Sequence, residues 1–227
     1  MRNIDIVWDS FEQQRFSIQS KFKDQGYLLI ENFLNDDICD FLYGYLMVSQ
    51  KRLDIAEKNK LENSDNRYGE IKDNTFITHG DLTFDSILVG KRSEIEWYTG
   101  YDLVSTYTTS SIYNNGAELL RHIDDDDCEL TLSICLGYDT TKRFINEDKT
   151  FEKHQWPFWI KDNQGNEIEV FQKKGGAILY KGTECEHWRN KFEGTLQGQL
   201  DLHFNDKDGE YGDEYNKRLY LGLPSNG

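Results

Sequence analysis

The stretch LLRHIDDDDCELTLSICLG, from Leu119 to Gly137, places one histidine and four consecutive aspartates between two apolar runs. Its second half predicts a β-strand, because apolar and β-branched residues dominate it. Residues i and i+2 of an extended chain point to the same side, so His122 and Asp124 are able to hold one metal ion together. The three aspartates at residues 125–127 are predicted to form a solvated turn.

Further strands are predicted throughout the second half of the chain. Segments rich in β-branched and aromatic residues, bounded by turns that contain glycine, are typical of short antiparallel strands. They lie at residues 103–113, 129–137, 167–171, 176–182 and 196–204. A succession of short strands of this kind predicts a jelly-roll barrel.

The first hundred residues differ, because apolar residues recur there at helical spacing. Helices are predicted at residues 9–25, after an N-cap at Asn35, and at residues 81–90 and 93–100, with a short strand at 27–33. Most of the highly charged segment 51–77 is predicted to be a mobile surface loop. Such a loop would be able to fold over a substrate as a lid, although the sequence does not determine this role.

These patterns together predict an α+β chain that is mainly β, with N-terminal helices packed outside a jelly roll. A length of 227 residues fits one domain. Within it, residues 1–100 would provide helical support and the mobile loop, residues 101–205 the jelly-roll core, and residues 206–227 a C-terminal tail.

The charge of the chain disfavours nucleic acid as a partner. The chain has 26 Lys and Arg against 41 Asp and Glu, a net charge of −15. Such a surface repels phosphate backbones. No segment resembles a membrane span or a signal peptide, so we expect a cytoplasmic protein without a membrane partner. The four cysteines form no C-x-x-C pair, which argues against a zinc ribbon.

A metal site built on His122 and Asp124 needs a third ligand, and three histidines are candidates for it. His154 lies in a predicted loop, and His203 lies late on the last long strand. His187 follows a strand that a glycine turn can bring back over the His122 strand, so we favour it. Three protein ligands would leave three positions of an octahedral iron open for a bidentate cosubstrate and dioxygen.

The chain contains a second His-x-Asp motif at His79 and Asp81. This copy stands where a helix is predicted to begin, and an aspartate there is better explained as an N-cap. We therefore prefer the copy at His122.

Three segments taken together are similar to one enzyme family. They are YTTSSIYNNGAELLRHIDDDDCELTLSICLG (107–137), WPFWI (156–160) and KKGGAILYKGTECEHWRNKFEG (173–194). This ordered combination resembles the iron(II)/2-oxoglutarate dioxygenases, and within them the prolyl 4-hydroxylase-like branch with its microbial and phage members. The resemblance covers about residues 100–205 and, more weakly, residues 26–46.

The resemblance implies a double-stranded β-helix of cupin-like form with iron at one open end. His122, Asp124 and His187 match the iron triad of the family, and Tyr113 matches a tyrosine that contacts the cosubstrate. The implied cofactors are Fe(II), 2-oxoglutarate and O2, with ascorbate as a reductant. The implied reaction is hydroxylation of a prolyl residue in a peptide or protein, with release of succinate and CO2. A phage-encoded enzyme would act in the host cytoplasm.

One position departs from the family pattern. Where the prolyl hydroxylases place a Lys or Arg that binds the far carboxylate of 2-oxoglutarate, this chain has Gln197. Arg189 is our candidate for this role, because it lies two residues after His187 and would face the same way. Lys181 and Arg143 are weaker candidates.

Two other functions stay open at this point. The substrate of an oxygenase could instead be a free amino acid or another small molecule. Alternatively, the chain could be a non-catalytic jelly-roll binding module that holds a sugar or peptide on Trp156, Trp159 and Trp188.

Overall fold

The computed structural model of the protein describes residues 3–62, 68–139, 156–218 and 221–222. The helices in these ranges are α1 (Asn3–Gln25), α2 (Asp36–Lys58), α3 (Leu82–Thr99) and a short 3-10 helix (Glu214–Lys217). The strands are β1 (Tyr27–Ile30), β2 (Glu70–Lys72), β3 (Thr75–His79), β4 (Leu103–Asn114), β5 (Leu119–His122), β6 (Leu130–Asp139), β7 (Phe158–Lys161), β8 (Glu167–Val170), β9 (Ala177–Lys181), β10 (His187–Arg189) and β11 (Leu196–Asp206).

The strands form two antiparallel sheets. The major sheet has the order β1-β9-β6-β11-β4-β3-β2, and the minor sheet has the order β5-β10-β7-β8. Apolar side chains of β7 and β8 pack against Ile178 of β9, so the inner faces of the two sheets meet; these side chains are Phe158, Ile160 and Val170. The arrangement is a double-stranded β-helix, and the prediction of a mainly β jelly roll is confirmed.

The helices cover the outer face of the major sheet, as the sequence predicted. Helix α2 packs against β6 and β4, and α1 packs against α3. Strand β6 therefore has α2 on one side and the barrel interior on the other, which explains why residues 130–137 are all buried. Leu42 and Leu46 of α2 are fully buried in this layer, and burial of each contributes about 1.5–3 kcal/mol to folding.

Two helix caps were predicted correctly. Asn35 accepts a hydrogen bond from the backbone N–H of Ile38 at 2.9 Å, and Asp81 accepts one from Thr83 at 2.8 Å. The two short helices predicted at residues 81–90 and 93–100 are in fact the single helix α3. The helix does not end at Gly90. It continues to Thr99 and is capped by Gly100, which has a left-handed conformation with a φ of 76°.

The prediction of a mobile loop over residues 51–77 was wrong for the part of this segment that is described. Helix α2 continues to Lys58, and β2 and β3 form a hairpin. Asp73 and Asn74 adopt φ values of 48° and 62° at its turn, which suits a two-residue hairpin. Strand β3 then pairs with β4 and buries Phe76 completely. Tertiary pairing thus outweighs the local charge of this segment.

The C-terminal segment is packed on the fold at Arg218. Its guanidinium forms a buried ion pair with Asp85 of α3 at 3.0 Å, and it donates to the carbonyl of Thr106 in β4 at 2.8 Å. Gly222 also donates its backbone N–H to Asp85 at 2.8 Å. No helix in the described part of the chain has the length and hydropathy to cross a membrane.

Candidate metal centre

Strands β5 and β10 bring two histidines together at the edge of the barrel. The strands are antiparallel, and His122 and His187 are directly opposite partners in their register. Their ring centroids lie 4.3 Å apart. Asp124 follows β5 and is anchored by its backbone N–H, which donates to the carbonyl of Gly182 at 2.9 Å. The three predicted ligands therefore converge from two strands and one loop.

The ligand atoms of these three residues all lie within 4.8 Å of one another. Asp124 Oδ1 is 3.4 Å from His122 Nε2 and 3.3 Å from His187 Nε2. Each Nδ1 lies close to a backbone carbonyl, that of Leu120 at 2.7 Å and that of Cys185 at 3.0 Å. Such contacts fix the ring orientation and leave Nε2 for a metal. Two nitrogens and one carboxylate oxygen fit the facial set of a non-haem iron.

The electrostatics of this cluster also suit a cation. Burial alone would raise the pKa of Asp124, but hydrogen bonds with His122 and His187 outweigh it and hold that pKa well below its usual range. The hydrogen bond to Asp124 also raises the pKa of His122, against the effect of its partial burial. A divalent cation bound here would replace the imidazole protons as the partner of the carboxylate.

His203, one of the other candidates for the third ligand, does not join this cluster. His203 lies on β11, and its Nδ1 is 3.0 Å from the hydroxyl of Thr131. It is not part of the group of three in the described structure. His154 lies outside the described residues.

The two residues of the second His-x-Asp motif, His79 and Asp81, have separate structural roles. The carboxylate of Asp81 caps α3 and accepts a hydrogen bond from Tyr45 at 2.7 Å. His79 ends β3, and its Nδ1 lies 3.2 Å from the hydroxyl of Thr109. The interpretation of Asp81 as an N-cap is confirmed, and the motif does not form a second metal cluster in the described residues.

A cavity of about 300 Å³ extends from the three ligands into the barrel. Both sheets contribute to its wall, together with the loop after β5. Its polar lining beyond the ligands comprises His79, Tyr107, Thr109, Ser111, Tyr113, Asp125, Cys128, Ser133, Tyr180, Arg189, Gln199, Asp201 and His203. Its apolar lining comprises Ile77, Leu119, Ile123 and Phe158.

Arg189 reaches this cavity from β10, two residues after His187. Its side chain is 2% exposed and lies between the rings of Trp156 and Phe158, 5.0 and 5.1 Å from their centroids. It donates to the carbonyl of Trp156 at 2.7 Å and to Gln172 Oε1 at 2.5 Å. Both partners are neutral, and no carboxylate among the described residues forms an ion pair with it. The cavity therefore contains a buried cation without an ion-pair partner in the described part of the chain.

Lys181, a weaker candidate for a carboxylate partner, lies outside the cavity. Lys181 forms an ion pair with Glu184 at 2.9 Å and is not part of the cavity wall. Arg143 lies outside the described residues.

Tyr113 and Gln197 occupy opposite positions on β4 and β11. Tyr113 lines the cavity and packs edge-on against Trp156, with 4.9 Å between ring centroids. Burial raises the pKa of its hydroxyl to about 12, so the group is a neutral hydrogen-bond donor. Gln197 is buried but is not part of the cavity wall; its amide lies 3.4 Å from that of Gln199.

Gln199 and Asp201 are cavity residues that the sequence analysis missed. With its amide oriented to accept, the Gln199 oxygen lies 2.9 Å from Arg189 Nη2 and 3.1 Å from the hydroxyl of Ser133. Burial raises the pKa of Asp201 to about 6, although a hydrogen bond from Ser133 lowers it. Polar residues alternate along LQGQLDLHF, and this period of two was the available signal.

The three tryptophans do not form one platform. Trp156 is buried and donates to the carbonyl of Asn190 at 2.6 Å. Trp159 and Trp188 are cross-strand partners whose rings stack with centroids 5.9 Å apart. Arg121 covers Trp188 at 4.2 Å. A shared sugar or peptide platform therefore has no support in this geometry.

Comparison with known sequences finds no matching family and no matching curated protein. Solved structures do match. A prolyl-4-hydroxylase from Pseudomonas putida superposes with a TM-score of 0.57 at 15% identity, over 84% of this chain and 99% of that one. HygX from Streptomyces hygroscopicus, with nickel and 2-oxoglutarate bound, superposes with a TM-score of 0.58 at 10% identity, over 85% of this chain and 87% of that one.

A third match is SnoN, an α-ketoglutarate-dependent non-haem epimerase of nogalamycin biosynthesis. It gives a TM-score of 0.59 at 10% identity, over 95% of this chain and 97% of that one. The chain thus has the fold of the 2-oxoglutarate-dependent, non-haem iron oxygenases. Identities of 10–15% establish the fold alone, because one fold supports several reactions.

Proposed function

We propose that the protein is an iron(II)- and 2-oxoglutarate-dependent dioxygenase that hydroxylates a C–H bond and releases succinate and CO2. The observation that carries this proposal is the convergence of His122, Asp124 and His187 at a cavity that also contains the buried cation Arg189. The three ligands suit a metal ion, and the guanidinium suits a dicarboxylate. In the family that this chain resembles, both features serve one reaction.

The three ligands would hold iron on one side and leave its other side open to the cavity. The hydrogen bonds that the two imidazoles donate to the carbonyls of Leu120 and Cys185 support this, because they direct both Nε2 atoms toward Asp124. Bound iron would supply the activation of O2, with 2-oxoglutarate as the co-oxidised substrate and ascorbate as a reductant.

Arg189 would bind the far carboxylate of 2-oxoglutarate. A guanidinium donates two parallel hydrogen bonds to a carboxylate, and the buried setting strengthens such a pair. Tyr113 would donate its hydroxyl to the cosubstrate, and Gln199 would orient the guanidinium. Because Gln197 lies outside the cavity wall and its amide contacts that of Gln199, we assign it a supporting role.

Within this class, we propose a prolyl residue of a peptide or protein as the substrate. The resemblance to the prolyl 4-hydroxylase-like branch supports it. The apolar side chains of Ile77, Leu119 and Ile123 in the cavity wall suit an aliphatic ring. A small molecule is the second candidate, because about 300 Å³ also matches a small-ligand pocket.

The test is a product analysis with Fe(II), 2-oxoglutarate, ascorbate and O2. Proline-containing peptides are expected to gain the mass of one oxygen atom, with one succinate formed per hydroxylation. His122→Ala is the matched control and should form neither product. Succinate without peptide oxidation would favour a small-molecule substrate. A protein that takes up no Fe(II) or Mn²⁺ would contradict the oxygenase proposal and favour a binding module.

A further inference from the structure

A chain of four hydrogen bonds connects the two His-x-Asp motifs of the sequence. Asp124 Oδ2 accepts from the hydroxyl of Thr131 at 2.8 Å, and this hydroxyl lies 3.0 Å from His203 Nδ1. His203 Nε2 lies 3.4 Å from the hydroxyl of Thr109. The same hydroxyl lies 3.2 Å from His79 Nδ1.

The donor and the acceptor of each of these four hydrogen bonds can be assigned in only one way. The ionised carboxylate of Asp124 is only an acceptor, so Thr131 must donate its one hydroxyl proton to it. His203 Nδ1–H then donates to Thr131, and His203 Nε2 is left as an acceptor. Thr109 donates to this nitrogen and in turn accepts from His79 Nδ1–H. Along this series of bonds, each hydroxyl thus donates once and accepts once.

Both histidines have the neutral form that this order requires. Burial lowers the pKa of His203 to about 4. Burial also lowers the pKa of His79, against a smaller effect of Glu70. A neutral imidazole with its proton on Nδ1 offers one donor and one acceptor.

The strand order places these residues side by side. Thr131, His203, Thr109 and His79 lie on β6, β11, β4 and β3, which are consecutive neighbours in the major sheet. His203 is the register partner of Thr131, and Thr109 is that of His79. A bulge between Leu202 and Phe204 interrupts the pairing of β11 with β4. Bulges re-aim side chains, and here His203 spans the gap between two strands.

The two carboxylate oxygens of Asp124 have different partners. Oδ1 faces the Nε2 atoms of His122 and His187, and Oδ2 accepts from Thr131. A carboxylate held in this way presents one oxygen to a metal. Rotation that would present both oxygens has to break the bond from Thr131.

We infer that Thr131 and His203 are positioning residues that hold Asp124 as a one-oxygen metal ligand, through a hydrogen-bond chain that ends at His79. This inference rests on the proposed function, because it concerns the metal of that site. It assigns a role to His79, which the triad does not use.

The simpler explanation is that these groups satisfy one another in a buried layer. Neighbouring hydroxyls show that this fold does not require such pairing, since Thr106 Oγ1 on β4 is buried without a hydrogen-bond partner in the described structure. Thr106→Val is therefore a matched control for Thr131→Val. Both changes replace a hydroxyl by a methyl group on a central strand of the major sheet.

The experiment measures Mn²⁺ affinity by competition with a chelator, and the melting temperature of the metal-free protein. Loss of a hydrogen-bond partner of a metal ligand typically weakens metal binding by about 10- to 100-fold. We expect a loss of this size for Thr131→Val, near wild-type affinity for Thr131→Ser, which keeps the hydroxyl, and no change for Thr106→Val. His203→Phe should weaken binding less than Thr131→Val does, because Thr131 can still donate to Asp124.

Unchanged Mn²⁺ affinity in both Thr131→Val and His203→Phe would overturn the inference. If Thr131→Val does not fold, His203→Phe decides alone. Failure of the proposed function looks different, because the wild-type protein itself would then bind no Mn²⁺.

Discussion

His122 and His187 are directly opposite residues of an antiparallel strand pair, with 4.3 Å between their ring centroids. The backbone register thus sets the distance between the imidazoles, and no side chain has to move far to meet a metal. Asp124 completes the set because its carboxylate lies beside both Nε2 atoms.

His122→Ala should remove metal binding and leave the fold intact. The side chain is 40% exposed, so its loss removes little packing, whereas a three-ligand site loses a third of its donors. Mn²⁺ affinity and the melting temperature of the metal-free protein are the measurements. Asp126→Asn is the control, since this exposed aspartate lies outside the cluster. Equal Mn²⁺ affinity in His122→Ala and wild type would show that the metal lies elsewhere.

Arg189→Ala should weaken 2-oxoglutarate binding while Mn²⁺ still binds. Removal of one partner of a buried charge pair costs about 2–5 kcal/mol, which corresponds to roughly 30- to 3,000-fold in dissociation constant. Calorimetric titration of the Mn²⁺-loaded protein with 2-oxoglutarate measures this dissociation constant. Lys181→Ala should bind as wild type does, because its ammonium pairs with Glu184. If Lys181→Ala instead weakened 2-oxoglutarate binding and Arg189→Ala did not, Lys181 would be the residue that binds the far carboxylate.

Gly182→Ala should impair the metal site without changing a ligand. A Cβ at this position would collide with the Asp124 carboxylate and with the carbonyl of Cys128. The carboxylate must then shift, so both Mn²⁺ affinity and stability should fall. Gly90→Ala provides the contrast, because no atom lies within 4 Å of its added Cβ in α3. It should stabilise the helix by about 0.5–1 kcal/mol and leave Mn²⁺ affinity unchanged.

Asp201→Asn should stabilise the metal-free protein at high pH. Burial raises the pKa of Asp201 to about 6, whereas an ordinary aspartate has 3.8. A carboxyl whose pKa rises on folding stabilises the fold most at low pH, and this contribution is lost as the pH increases through 6. At roughly 1.4 kcal/mol per pKa unit, the variant should gain up to about 3 kcal/mol over wild type between pH 4 and pH 8.

Urea unfolding at several pH values measures this difference. Asp126→Asn, which makes the same change at an exposed position, is the control. A gain for Asp201→Asn that is constant across pH would contradict the assignment of a raised pKa to this residue.

The sequence predicted those features that depend on short-range patterns. Alternation and β-branched residues located β4, β6, β8, β9 and β11, and side-chain chemistry located the caps Asn35 and Asp81. Local patterns failed where distant partners decide the structure. The β2–β3 hairpin exists because β4 offers it an edge, and Gly90 stays helical because nothing interrupts the backbone hydrogen bonds of α3.

The candidate site was predictable in its ligands and less so in its cavity. His122 and Asp124 share a local motif, and the glycine turn before β9 favoured His187, which the β5–β10 register places opposite His122. Gln199 and Asp201 carry no motif. Their position follows from the pairing of β11 with β4 and β6, which a single sequence does not display.

A crystal structure of the protein with Mn²⁺ and 2-oxoglutarate, recorded with anomalous scattering, tests the proposed metal and cosubstrate site. We predict one Mn²⁺ peak bonded to His122 Nε2, Asp124 Oδ1 and His187 Nε2, with 2-oxoglutarate in the cavity and its far carboxylate on Arg189. An empty triad after the soak, or Mn²⁺ held by a different set of residues, would contradict the account.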